Sequence, residues 1–180
     1  MTKHKMTADE RRHYILQLLM EAKEPISGRD ISVRVGVSRQ VIVGDMALLK
    51  AKNEPILATS QGYIYMSDQQ QESGIERTIA CYHTPENTAE ELNILVDHGV
   101  FVKDVTVDHP VYGEFKAQLR ISNRKEVERF IDQIESSSAS LLLELTDGIH
   151  LHTIVAQSED LLDEAEEALG EAGFLVDKKV

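Results

Sequence analysis

Residues 67–74 read SDQQQESG, a polar run with no apolar period and a glycine at its end. A hydrophobic core cannot be carried through such a segment, so the chain has to close one core before it and build another behind it. The charge changes at the same place. Residues 1–66 hold 10 Lys+Arg and 7 Asp+Glu, whereas residues 67–180 hold 9 and 24. The first part is therefore net positive and the second strongly negative, within a total of −12. This asymmetry predicts two units with different partners, one that tolerates a polyanion and one that does not. The boundaries are set at 1–66, a linker at 67–75, and 76–180. No apolar run approaches the ~20 residues that span a bilayer, and the opening MTKHKMTADERRHY has no apolar signal-peptide core. Cys81 is the single cysteine, so no intrachain disulfide forms. A cytoplasmic setting without a membrane partner is expected.

In the first unit Ile15, Leu16, Leu18 and Leu19 fall at helical spacing over Ala8 to Ala22. Thr7 followed by Glu10 forms a capping box, and Pro25 ends the helix. Ser27 caps a short second helix, Gly28 to Val35, which Gly36 stops. Ser38 caps a third helix reaching about Lys52, with Ile42, Met46 and Leu49 inward. ILAT (56–59) and YIYM (63–66) follow as a hairpin around Ser60-Gln61-Gly62. Three helices and a hairpin resemble a winged helix-turn-helix domain. Its third helix would present Ser38, Arg39, Gln40 and Val43 to base edges, with Arg29, Arg34 and Lys50 on phosphates. Gly44 is unusual inside such a helix, where glycine costs about 1 kcal/mol against alanine. A plain helical interaction module with a solvated basic face is the alternative.

The second unit predicts the order β-α-β-β-α-β-β-α, a mostly antiparallel sheet with helices on one face, hence α+β. Its strands are read at 76–83, 100–109, 111–121, 140–146 and 149–156, the last two as a hairpin around Asp147-Gly148. The final strand, IHLHTIVA, places His150 and His152 at spacing i, i+2, so both imidazoles leave one face. Two rings on one face invite a shared ion. His83 ends another strand and Glu91 lies early in the following helix. If these converge, three imidazoles and a carboxylate suit Zn²⁺ or Ni²⁺ better than Ca²⁺ or Mg²⁺. His98, near a helix C-terminus, reads as structural.

The segments RTIACYHTPENTAEEL, DVTVDHPVYGEF and LLLELTDGIHLHTI resemble the signature segments of the three-histidine (3H) domain. With the helix VSRQVIVGDMALLKAKN, the whole chain resembles the niacin-responsive transcriptional repressors of NAD biosynthesis. The resemblance implies a phosphocarrier-like C-terminal fold and a repressor, not an enzyme, that binds operator DNA when nicotinic acid is abundant. It also implies metal ligands at His83, Glu91, His150 and His152, and a further characteristic histidine at His109, a candidate for ligand binding. A homodimer is expected from the helix-turn-helix type. A repressor sensing the metal ion directly is the alternative, and a metal-dependent hydrolase the more distant one.

Overall fold

The computed structural model describes residues 6–66 and 73–176. The chain divides into two compact units, 1–71 and 72–180. Most of the expected linker thus lies outside the described residues, but its last residue, Ile75, already pairs with Ala156 as strand.

The first unit is built on capped helices. Helix α1 (Ala8–Glu21) starts at Thr7, whose side chain accepts the Glu10 N–H while the Glu10 carboxylate accepts the Thr7 N–H at 2.8 Å. Helix α2 (Gly28–Val35) is capped by Ser27 and ends on Gly36, left-handed at φ 71°. Helix α3 (Arg39–Ala51) starts at Ser38. Ile15, Leu19, Ile31, Ile42, Met46, Leu49 and Ile56 form the core between them. Beside it lies a buried carboxylate with no sequence signal. Asp45 on α3 accepts from Arg11 at 2.6 and 3.1 Å and from Arg12 at 3.3 Å, tying α3 to α1.

Strands β1 (Ile56–Thr59) and β2 (Gly62–Tyr65) make the wing. Thr59 pairs with Gly62, so the loop is two residues, Ser60-Gln61, and Gly62 belongs to the strand. The reason is a close approach. A Cβ on Gly62 would stand 2.5 Å from the Ile26 carbonyl, where Ile26 and Tyr63 exchange backbone hydrogen bonds of 2.9 and 2.8 Å.

In the second unit, β3 (Ile75–Tyr82), β4 (Phe101–His109), β5 (Gly113–Ile121) and β6 (Ile149–Ala156) form one antiparallel sheet in the order β3-β6-β4-β5. Helices α4 (Thr88–Asp97), α5 (Arg124–Ser137) and α6 (Glu159–Glu171) pack on one face over Ile79, Leu92, Leu95, Val102, Ile154 and Leu162. The fold is α+β, with one correction. Residues 142–146 form a 3₁₀ turn, not a strand, and there is no hairpin around Asp147-Gly148. Strand β6 is central, with both edges already taken by β3 and β4, so no edge is left for 140–146. A short 3₁₀ turn, Pro85–Asn87, likewise precedes α4.

Candidate metal centre and ligand cavity

The register of the sheet brings the site together. On β6, His150 lies opposite Cys81 of β3, and His152 lies between Ile79 of β3 and Val105 of β4. The period of two that alternates this strand sends both rings to the helix-covered face, where they are 2% and 3% exposed. His83 follows the end of β3 and is buried as well. Glu91, in the first turn of α4, has no exposure at all.

All three Nε2 atoms converge on this carboxylate. His83 Nε2 lies 2.7 Å from Glu91 Oε2, His152 Nε2 3.3 Å from the same oxygen, and His150 Nε2 3.2 and 3.3 Å from the two oxygens. The opposite nitrogens fix the tautomers. His83 Nδ1 meets Thr84 O at 2.8 Å, His150 Nδ1 meets Gly148 O at 2.9 Å, and His152 Nδ1 meets Asp104 O at 2.9 Å. A carbonyl only accepts, so each Nδ1 carries the proton and each neutral ring turns an Nε2 lone pair inward. Three lone pairs then face carboxylate oxygens, an arrangement that repels unless positive charge stands between them.

Protons answer part of that demand. Burial pushes the His83 and His152 pKa values down, but hydrogen bonding and charge from Glu91 outweigh it, and both are raised. For Glu91, burial pushes up, but the charge on His152 and hydrogen bonds from all three rings hold the carboxyl well below its usual range. A divalent cation answers the demand as well. Ligands on a tetrahedral ion with bonds of ~2.0–2.1 Å stand ~3.3–3.4 Å from one another, close to the His150 and His152 separations of 3.2–3.3 Å, whereas His83 at 2.7 Å stands closer to the carboxylate than that spacing. Backbone carbonyls behind metal-ligating imidazoles are the usual means of aiming them. The donor set fits a borderline transition ion.

Beside this cluster the sheet and α4–α5 leave a cavity of about 210 Å³, lined by Glu91, His150 and His152 together with mainly aliphatic side chains. In the first unit, Ser38, Arg39, Gln40 and Val43 are exposed at the start of α3, as are Arg29, Arg34 and Lys50. The Ser38 hydroxyl is also the helix cap, accepting the Val41 N–H at 3.4 Å. Arg34 lines a cleft with Glu21, Glu24 and Asp30, poorer surroundings for a phosphate than the others have.

A profile of the 3H domain matches residues 76–178. The chain belongs to the 3H-domain family. An HTH-domain profile matches residues 11–64. Among similar proteins, transcription repressor NadR of Bacillus subtilis (strain 168) is 51% identical over 96% of both chains. Probable transcription repressor NiaR of Thermotoga maritima is 38% identical over 97% of this chain and 98% of its own.

The remaining histidines of this 3H-domain protein have separate places. His109 sits at the β4–β5 hairpin, where its Nδ1 accepts the Val111 and Tyr112 N–H groups at 3.2 Å and its ring packs on Tyr112 and Phe115. It does not line the cavity, and its contacts are those of a turn. His98 closes α4, its Nδ1 meeting Ile94 O at 2.7 Å. Sequence reasoning missed Cys81. Its sulfur, one oxygen of Glu91 and one ring nitrogen of His150 lie within 4.8 Å of one another. Spacing i, i+2 from His83, just past the end of β3, was the available signal. Burial, and then the Glu91 charge, push its thiol far above the ordinary range, so the metal-free protein holds it protonated.

Proposed function

We propose that the chain is a transcription repressor of NAD-biosynthesis or niacin-uptake genes, binding operator DNA as a homodimer with nicotinic acid as corepressor. The observation that carries this reading is the convergence of three imidazole Nε2 atoms on one buried carboxylate that lines a ring-sized cavity. Both relatives are named as transcription repressors, which supports a regulator over an enzyme. His83, Glu91, His150 and His152 would hold a Zn²⁺ or Ni²⁺ ion, which supplies positive charge to an acidic effector in a strongly acidic half of the chain. A 150 Å³ apolar cavity is known to hold benzene, so 210 Å³ suits one ring with a small substituent.

In the first unit, Arg39, Gln40 and Val43 would read base edges from α3, and Arg29 and Lys50 would meet phosphates. A dimer would address half-sites about 34 Å apart, and nicotinate would act by favouring the state whose spacing fits. The reading is tested by operator-binding titrations of the intact chain, metal-loaded and chelator-treated, with nicotinate and nicotinamide. Tighter operator binding on nicotinate, in the metal-loaded chain alone, is expected. Operator binding that follows the ion and ignores nicotinate would return the direct metal sensor in its place.

A further inference from the structure

Thr88 is 5% exposed, lines the cavity, and its hydroxyl has no hydrogen-bond partner. A buried hydroxyl left this way has lost its water without gaining a partner, an unfavourable state that a bound acceptor relieves. It is also not needed as a cap, because Thr88 follows Asn87 at the α4 N-terminus and makes no capping bond. The position relative to the imidazole cluster is set by the helix. Thr88 and Glu91 are three residues apart on α4, hence on one face, with Cβ atoms ~5–6 Å apart.

The cavity is otherwise lined mainly by apolar side chains, among them Val105, Ala117, Leu119, Phe130, Ile134 and Leu141, with no lysine or arginine among the described lining residues. The other polar group outside the cluster, Ser140, is exposed. A carboxylate taken into such a cavity needs positive charge, and among the described lining residues only the imidazole–Glu91 cluster can supply it, by holding an ion. A pyridine nitrogen needs only one donor. We propose that the Thr88 hydroxyl donates a hydrogen bond to the ring nitrogen of a pyridine carboxylate whose carboxylate faces the ion held by that cluster. Thr88 is then the residue that selects a pyridine acid over a benzene acid. The assignment rests on the niacin reading above.

Calorimetry on the intact Zn²⁺-loaded chain tests it, with nicotinate and benzoate as probes and Thr88→Val and Thr88→Ser as variants. The wild type is expected to bind nicotinate roughly 3- to 10-fold tighter than benzoate, the range expected for one net hydrogen bond, since the benzoate ring leaves the Thr88 hydroxyl unpaired. Thr88→Val should lose that advantage while binding benzoate unchanged, and Thr88→Ser, which keeps the hydroxyl, should restore it. Zinc content should be equal in all three. Unchanged nicotinate affinity in Thr88→Val overturns the assignment, and so does an equal loss for both acids, which marks a packing role. A wild-type chain that binds neither acid sinks the niacin reading itself, a result separable from failure of Thr88 alone.

Discussion

Glu91 and the rings around it form a balance of charge that pH shifts in opposite senses. The folded Glu91 carboxyl titrates lower than in an unfolded chain, so its contribution to stability is complete above ~4.3 and lost as pH falls through the folded value. His83 and His152 titrate higher than when unfolded, so their contribution is full below ~6.5 and lost as pH rises through their folded values. The metal-free chain is therefore expected to be most stable on the mildly acid side of neutrality. Its melting temperature should fall as pH rises from about 6 to 8. An ion competes with those protons, so the stabilisation that Zn²⁺ adds should grow over the same interval. Melting curves against pH, with chelator and with Zn²⁺, measure both slopes. A metal-free melting temperature that rises through neutrality contradicts the arrangement. The shared face of the HxH pair was legible in the sequence, because period two on a strand assigns a face without knowing its neighbours, whereas the meeting of His83 with it depended on which strands pair. Cys81 was hidden by its solitude, since a lone cysteine reads as core until register sets it beside Glu91.

The elements that hold the cluster are joined at one glycine. Gly148 stands at φ 98°, and a Cβ there would lie 2.5 Å from the His83 carbonyl oxygen. Its own carbonyl receives the His150 Nδ1–H at 2.9 Å and the His83 N–H at 3.4 Å. This residue therefore seats the ends of β3 and β6 against each other. Gly148→Ala should cost about 1–3 kcal/mol through the backbone conformation alone and lower Zn²⁺ affinity at least 10-fold by parting His83 from His150. Denaturant unfolding and a competitive zinc titration read the two effects, and unaltered zinc affinity would show that the glycine has no part in the site. The Asp-Gly pair was read from sequence as the turn of a hairpin. It is a turn, but it follows a 3₁₀ segment, because β4 occupies the edge of β6 that a hairpin partner would have needed. Helix caps were legible at Thr7, Ser27 and Ser38 since a cap is a local bond. Asp45 was not, for its partners Arg11 and Arg12 are 34 and 33 residues away.

At the scale of the whole chain, the function proposed here is a coupling between two units whose charges differ in sign. Thermodynamic linkage makes that coupling reciprocal. If nicotinate tightens operator binding by some factor, saturating operator must tighten nicotinate binding by the same factor, expected at about 5- to 150-fold. Nicotinate titrations of the metal-loaded chain, with and without operator duplex, check this. Equal affinities in the two would deny the coupling. Arg39→Ala should weaken operator binding while leaving nicotinate affinity in free protein untouched, because Arg39 is exposed on α3 of the other unit. The division into two units was legible from a polar run and a change of charge, both properties of composition. The cavity was not, because its walls come from α4, α5, β4, β5, β6 and the segment 140–143, which only the folded topology assembles.

X-ray absorption of the Zn²⁺-loaded chain addresses the centre itself. One ion per chain, with three imidazoles and one carboxylate oxygen around it and a further light-atom ligand on adding nicotinate, is the predicted spectrum. Sulfur scattering from Cys81 with fewer than three imidazoles, or a chain that retains no ion, would contradict it.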